Sequence, residues 1–455
     1  MTFIHTFLGI STFPKELQRL SLKFLSLQII ISGIYLSYAW ISLYYLSVLD
    51  SFSSYGVIVA IGMLFGATLD VPLGILADRF GQRITFSGAL FCLMIYYLGL
   101  ILATNPIQLL FLEIIVGIHS ALLSGSFIAW FMNSWEFITS KELESGISFR
   151  SIMGNLNFAK TLIVALITSI GGILLQQKSV LPQTVFLIQA LIAALGVFLG
   201  IKLISTTKSH IHEYAQKMEE NIVEDPSNSK LKSRILYVKK KYMAVIPFFV
   251  SFSLLAFTSV SFNTLIFPSL LYEISSPIGT FNQSQIEIQF ATVSLILISI
   301  TRGLSDFIFA LASRLSGNIT SFIHSPHKGL LAFYIVIYPF LSIVFLGIII
   351  ANFPQILKLN LIILVFIFRI TLIGLAAGLY WQLYLDITSS EIRSSQESIF
   401  NTIYLISSVI GYGLLGIVLE SFSFIGALIF LFFISLLGIL FLLIAKNPNR
   451  HVIPQ

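Results

Sequence analysis

Six ionisable residues interrupt long apolar stretches of the sequence, where a charge lacks its usual solvent. They are Asp70, Glu113, Asp306, Lys160, Arg302 and Arg369. A charge at the centre of a membrane-spanning helix costs roughly 2.5–3.5 kcal/mol. Six unpartnered charges would therefore cost on the order of 15–20 kcal/mol, more than the net stability of a typical fold. They must face one another or a water-filled cavity, either as ion pairs that fix helix packing or as groups that titrate or hold a substrate.

The three acids are candidates for carrying protons. A desolvated carboxyl group binds a proton more readily, so Glu113, Asp70 and Asp306 are the proton-coupling candidates. Glu113 is favoured because it shares a helical face with Gly117, Ser120 and Ser124. Arg369 is either its electrostatic partner or an anchor for an anionic substrate.

The elements that position these residues are apolar helices. Hydrophobic residues make up 56% of the 455 residues and charged residues 10%, against roughly 25% charged in soluble domains. A membrane-spanning helix needs roughly 20 mostly apolar residues. Twelve such spans are predicted, at 24–48, 54–77, 84–104, 106–135, 150–175, 181–204, 244–272, 286–313, 328–352, 359–385, 398–420 and 422–446.

The spans fall into two halves separated by a polar segment. We predict an all-α integral membrane protein with a six-helix bundle over 1–204, a cytoplasmic linker over 205–243 and a second bundle over 244–455. The halves read as a diverged repeat, because an offset of 236 places Asp70 on Asp306. A short amphipathic segment precedes the first span.

Polar and aromatic faces at helical spacing predict a cavity between the spans. They lie on the first, fourth, seventh and tenth spans. The substrate-cavity candidates, including the intramembrane cations, are Tyr35, Tyr38, Ser42, Ser124, Lys160, Arg302, Arg369 and Tyr380.

The basic residues predict the orientation. With both termini in the cytoplasm, 21 of the 26 Lys and Arg fall in cytoplasmic segments or at the cytoplasmic ends of spans, and Lys178 and Lys358 fall outside. The net charge of +6 reflects this asymmetry and gives no support for nucleic-acid binding. We expect a multi-pass protein of the cell membrane, in contact with lipids and acting as a monomer.

Several kinds of chemistry lack a sequence signal. The single cysteine, Cys92, excludes a disulfide framework and a cysteine-based metal site. There is no phosphate-binding loop of the Gly-x4-Gly-Lys-Ser/Thr type, and no cluster of nucleophile, base and orienting residue. We therefore expect no enzyme activity, no metal site and no cofactor.

One loop carries a recognisable motif. The sequence contains Asp70-Val-Pro-Leu-Gly-Ile-Leu-Ala-Asp78-Arg79-Phe-Gly81-Gln-Arg83, which resembles the signature loop between the second and third helices of the major facilitator superfamily. The resemblance implies two pseudo-symmetric six-helix bundles, with helices 1, 4, 7 and 10 lining the central cavity. It also implies that Asp78 packs against the N-terminus of helix 11 when the cytoplasmic side is shut. The gating residues would be Gly74, Asp78, Arg79, Gly81 and Arg83.

The wider motif, acid-x-Pro-x-Gly-x3-Asp-Arg-x-Gly, resembles a subgroup rich in drug and metabolite exporters. The antiporter pattern of helix 5 is half present, since Gly154, Gly171 and Gly172 match. Thr168 stands where that pattern has proline. The resemblance to antiporters is therefore partial.

Three functions are compatible with these features. The leading hypothesis is a secondary transporter that moves a small organic solute by alternating access, in proton-coupled efflux of drug-like or amphipathic compounds. The alternative is an importer or exchanger of an anionic metabolite, such as a sugar, organic acid or phosphate compound, with Arg302, Lys160 and Arg369 as its anchor. A receptor or scaffold on the same fold is the third, and the intramembrane charges argue against it.

Overall fold

The computed structural model is helical throughout the part of the chain that it describes. That part comprises residues 10–11, 13–124, 126–127, 130–132, 134–135, 138, 149–176, 181–204, 246–275, 293–322, 326–387 and 393–445. Within these ranges there are helices and turns but no strand. The predicted linker, 205–243, lies outside the described residues.

Seven α-helices can be delimited in the described part of the N-terminal half. Two begin with proline, whose fixed φ and missing N–H suit the first helical position. In chain order they are α1 Lys15–Ser32, α2 Ile41–Leu49, α3 Phe52–Phe80, α4 Gln82–Leu102, α5 Pro106–Ser124, α6 Phe149–Gln176 and α7 Pro182–Leu203.

The C-terminal half is built in the same way. Its helices are α8 Ile246–Ser261, α9 Phe267–Ser275, α10 Val293–Phe322, α11 Pro326–Ile335, α12 Leu341–Ile350, α13 Gln355–Ile387 and α14 Arg393–Ile444. A π-helical turn, Phe262–Ile266, joins α8 to α9, and another, Val336–Phe340, joins α11 to α12.

These helices account for the twelve predicted spans. Nine stretches of the described chain are long and apolar enough to cross a membrane. One of them, Thr402–Ile444, is 43 residues long and breaks at Ser423, where φ is 62° and ψ is −170°. It therefore holds two spans. Of the remaining two spans, one is formed by α8 together with α9. The other is α10, which carries three charged residues.

The first span, predicted at 24–48, is discontinuous and begins earlier than predicted. The helix starts earlier, at Lys15, and the amphipathic segment is its first part. After Ser32 a 3-10 turn covers Gly33–Leu36, and the α-helix resumes at Ile41.

The break in the first span is supported by α7. The amide of Gln189 donates to the carbonyl of Ile34 at 2.7 Å, to the carbonyl of Gly33 at 3.3 Å and to the hydroxyl of Ser37 at 3.0 Å. Backbone groups without partners are costly in a membrane. Gln189, which is 1% exposed, therefore replaces part of the hydrogen bonding that the helix loses there.

The two halves meet along two seams. In one seam α6 packs on α10, where Gly303 contacts Ala165 and Ser169. In the other, α3 packs on α14, where the backbone of Gly416 lies against that of Phe52. Close packing at both seams leaves the first span facing α10 between them, and this region holds Arg302 and Asp306.

Candidate functional site

An ion pair on α10 lies between the two halves. Arg302 Nε is 3.5 Å from Asp306 Oδ2, and the two side chains are 10% and 14% exposed. Arg302 Nη2 also donates to Tyr38 Oη at 3.4 Å, and its guanidinium carbon lies 4.9 Å from the Tyr38 ring centre. Tyr35 packs edge-on against Tyr38, with 5.1 Å between ring centres. The pair thus links the second half to the broken first span.

This ion pair leaves hydrogen-bonding capacity unused. Arg302 Nε and Nη1 and Asp306 Oδ2 are buried without a hydrogen-bond partner among the described residues. Nε and Oδ2 attract each other electrostatically at 3.5 Å, but they do not form a well-directed hydrogen bond. Buried donors without acceptors are costly, so a polar ligand between the halves would be stabilised here.

Arg369, on α13, is the second buried arginine. It is 3% exposed, and its Nη1 donates to Asn263 Oδ1 at 3.2 Å. The guanidinium carbon lies 4.4 Å from the ring centre of Phe262 and 5.6 Å from that of Tyr338. These partners are neutral, and no carboxylate in the described part of the chain pairs with Arg369.

The central region therefore carries surplus positive charge. The negative charge of Asp306 balances the positive charge of Arg302, and no acidic residue in the described part of the chain balances the charge of Arg369. The two arginines are close enough to repel each other electrostatically. A region of this kind attracts negative charge, which favours an anionic group over a cationic one.

Glu113 lies in a separate tyrosine cluster inside the N-terminal half. Tyr45, on α2, donates to Glu113 Oε1 at 2.6 Å, and the hydroxyls of Tyr45 and Tyr96 are 3.2 Å apart. A β-carbon at Gly62, on α3, would lie 2.9 Å from Glu113 Oε2, so glycine makes room for the carboxylate there. No lysine or arginine among the described residues pairs with Glu113. Its charge is balanced by hydrogen bonds alone.

Asp70 binds the helix that carries Glu113. The hydroxyl of Ser124, on α5, donates to Asp70 Oδ1 at 2.5 Å, and Asp70 is 7% exposed. The α5 face with Glu113, Gly117 and Ser124 is thus directed at α3, where Gly117 contacts Gly62. It joins helices within the first half.

The other predicted cavity residues occupy three different places. Ser42 is 1% exposed, and its hydroxyl has no hydrogen-bond partner among the described residues. Tyr380 stacks on Phe252 with ring centres 3.9 Å apart, about 16 Å along α13 from Arg369 at the usual helical rise. Lys160 is partly buried on α6, and no hydrogen bond or ion pair joins it to a described residue.

The motif loop is described in part. The helix α3 ends at Phe80, and Gly81 has a φ of 88°, a left-handed conformation that favours glycine in the tight turn before α4. Arg83 is partly buried in the first turn of α4. The side chains of Asp78 and Arg79, and the surroundings of Gly74, lie outside the description. So do the side chains at the start of α14, where the motif is expected to dock.

Some site residues escaped the sequence reasoning. They are Tyr96, Asn263, Tyr338 and Glu420. Asn263 and Glu420 could have been found, because each is a polar residue within an apolar run. Tyr96 and Tyr338 carry no such signal, since tyrosine is common at ordinary packing positions.

Glu420 forms a contact between the halves near the break in α14. Its Oε2 accepts a hydrogen bond from the Ser51 hydroxyl at 2.8 Å and from the Ser53 backbone N–H at 2.9 Å. It therefore caps the N-terminus of α3, where a carboxylate is favoured by the helix dipole. Beside it Phe52 and Phe424 pack edge to face, with 6.2 Å between ring centres. We call these contacts the Glu420 latch.

Comparison with known proteins defines the class to which this helical fold belongs. The sequence model of the Major Facilitator Superfamily matches residues 24–403. The chain belongs to this superfamily, and it is a multi-pass membrane transporter. A search of curated proteins finds no match.

Solved structures share the fold over nearly the whole chain. The nucleoside transporter NupG aligns with a TM-score of 0.62 and 14% identity, covering 96% of this chain and 100% of its own. A D-xylose-proton symporter aligns with a TM-score of 0.65 and 14% identity, covering 96% and 99%. A POT family transporter solved with 5-aminolevulinic acid aligns with a TM-score of 0.60 and 15% identity, covering 97% of this chain and 98% of its own. Likeness at this identity shows the fold alone.

Proposed function

We propose that the protein is a proton-coupled secondary transporter that moves a small organic solute by alternating access. The contact between Tyr38 and Arg302 carries this proposal, because it places unsatisfied buried groups of one half against the other half. When the two halves rock about a solute bound between them, the solute is exposed to one side of the membrane at a time. Helix movement and solute binding are then coupled at the same residues.

Glu113 is proposed as the proton carrier. It is held by Tyr45 without a cationic partner in the described region. Protonation of Glu113 would therefore leave no buried positive charge without its counter-charge. A carboxyl group in such surroundings exchanges a proton more easily than one fixed in an ion pair. Asp70 and Asp306 are secondary candidates, since Asp306 already neutralises Arg302.

Export of drug-like or amphipathic compounds is the proposed direction and cargo, on the resemblance of the motif loop to exporters. The aromatic surroundings of the central arginines support amphipathic cargo. The surplus charge at Arg369 favours a second candidate, the import or exchange of an anionic metabolite. The two candidates differ in the charge of the cargo.

The remaining features complete the proposal. We place the protein in the cell membrane as a monomer among lipids, with both termini cytoplasmic and 205–243 as a solvated tether between bundles 1–204 and 244–455. Gly74, Asp78, Arg79, Gly81 and Arg83 form the proposed cytoplasmic gate.

Replacing Glu113 with glutamine tests the proton coupling. Glu113→Gln keeps an acceptor for Tyr45 but cannot release a proton, so we expect pH-gradient-driven flux in proteoliposomes to be abolished while solute exchange without a gradient continues. Loss of a positioned proton carrier costs about 10²–10⁴-fold in comparable enzyme steps. Glu16→Gln, at an exposed carboxylate of α1, is the control. Gradient-driven flux that survives in Glu113→Gln at the wild-type rate would rule out this carrier.

A further inference from the structure

Arg369 presents an energetic problem that the protein alone does not solve. A buried charge needs a counter-charge or full hydrogen bonding. Arg369 is 3% exposed and donates one hydrogen bond, to the neutral amide of Asn263. A guanidinium group has five N–H donors. A hydrogen bond to a neutral amide does not balance the charge of Arg369, and no carboxylate among the described residues pairs with it.

The backbone around Arg369 has an unusual form. Phe262 and Asn263 belong to the π-helical turn Phe262–Ile266, and Tyr338 belongs to the π-helical turn Val336–Phe340. These are the two π-helical turns in the described part of the chain, and both contribute a side chain that contacts Arg369. Such turns are rare and frequently mark functional sites. Their convergence on one arginine points to a built binding site.

The charge of the site sets the charge of its ligand. Asp306 neutralises Arg302, which leaves one surplus positive charge on Arg369. Lys160 is not counted, because it lies about 13 Å along α6 from Ser169 at the usual helical rise, and Ser169 is at the level of Gly303. One negative charge therefore balances the central site.

We propose that Arg369 binds the carboxylate of a small organic monoanion that lies between the two halves. A planar carboxylate accepts two parallel N–H donors of a guanidinium group, and the rings of Phe262 and Tyr338 provide an apolar wall beside it. Arg302, which has unpartnered donors of its own, interacts electrostatically with Arg369, so its charge adds to the attraction for the same anion. This inference rests on the proposed function, whose substrate class it names.

Ligand binding without a gradient tests the inference separately from transport. Purified protein in detergent is heated with benzoate, methyl benzoate, phenyl phosphate or inorganic phosphate, each at matched ionic strength. The panel is repeated with hexanoate and methyl hexanoate. We expect a saturable rise in Tm with the carboxylates, none with the esters, and a smaller rise with the phosphates. A larger response to phenyl phosphate or to inorganic phosphate would overturn the choice of a carboxylate.

Variants connect the binding to Arg369. We expect Arg369→Gln to lower carboxylate affinity about tenfold or more, as expected for a lost charge-assisted hydrogen bond. Arg369→Lys should keep part of the affinity. Arg314→Gln, at an exposed arginine of α10, is the matched control. If Arg369→Gln does not fold, Asn263→Ala, which removes the acceptor that orients the guanidinium, should weaken binding in a folded protein.

The outcomes also separate this inference from the proposed function. Folded protein that is stabilised by no carboxylate, or equally by acids and esters, overturns the inference. Proton-driven flux of a neutral solute would then still support the proposed function. Carboxylate binding that depends on Arg369, without any gradient-driven flux, would instead overturn the proton coupling and leave the inference standing.

Discussion

Among single residues, the ion pair of Arg302 and Asp306 shows how charge is tolerated between the halves. The two groups lie one helical turn apart, so their spacing alone predicts a possible pair. The contact of Arg302 with Tyr38 could not be predicted, because it joins residues 264 positions apart and depends on which helices face each other. The same holds for Arg369 and Asn263, which are 106 positions apart.

Removing one partner of this ion pair should destabilise the protein strongly. Removing both partners together should destabilise it much less. Asp306→Asn leaves Arg302 without a carboxylate among the described residues, and removing one partner of a buried pair costs about 3–5 kcal/mol. We expect a clear fall in Tm in detergent, and recovery of most of it in the double variant Arg302→Gln with Asp306→Asn. Asp50→Asn, at an exposed acid, is the control. If the fall in Tm of the double variant equals the sum of the falls in the two single variants, the two residues are not coupled.

At the scale of helices, hydrophobic run length predicts where the spans lie but not where they break. The second, third and sixth spans agree with α3, α4 and α7 to within a few residues. The break after Ser32 was not predicted, because its hydrogen bonds come from Gln189 on a distant helix. The two π-helical turns were not predicted either, although one of them contains Pro339, a local signal for an interrupted helix. Breaks of this kind are tolerated where they line a polar cavity, and they carry Tyr35 and Asn263.

The Glu420 latch should hold the two halves together at the end of the molecule where α3 begins. Glu420→Ala removes the acceptor for Ser51 and Ser53. Because the carboxylate is exposed to solvent, we expect the variant to lose about 0.5 kcal/mol of stabilisation, the low end for a helix cap. This corresponds to roughly a twofold shift of the equilibrium toward separated halves. Glu420→Gln keeps an acceptor and should shift less.

Distances between spin labels measure this separation. Labels at Thr104→Cys and Asn352→Cys, both exposed, report the distance between the halves in a Cys92→Ser background. We expect Glu420→Ala to populate a longer distance. An unchanged distance distribution would show that the latch does not control separation at this end.

For the whole molecule, the distribution of basic residues predicts which face meets the cytoplasm. Thr104 lies in a loop that this prediction places outside, and Ser229 lies in the predicted linker, which it places inside. In a Cys92→Ser background, a membrane-impermeant maleimide should label Thr104→Cys in intact cells. Ser229→Cys should react only after the membrane is permeabilised. The reverse pattern would invert the assigned orientation.

The support that Gln189 gives to the first span has a consequence for biosynthesis. The carbonyls of Gly33 and Ile34 accept hydrogen bonds from a side chain made 155 or more residues later. While the first span is being inserted, this partner does not yet exist, and an unsatisfied carbonyl in lipid costs several kcal/mol. We therefore expect the nascent first span to insert as a continuous helix and to break when the sixth span arrives. The broken helix would be the product of assembly order, and Gln189→Leu should slow that final step more than it slows membrane insertion.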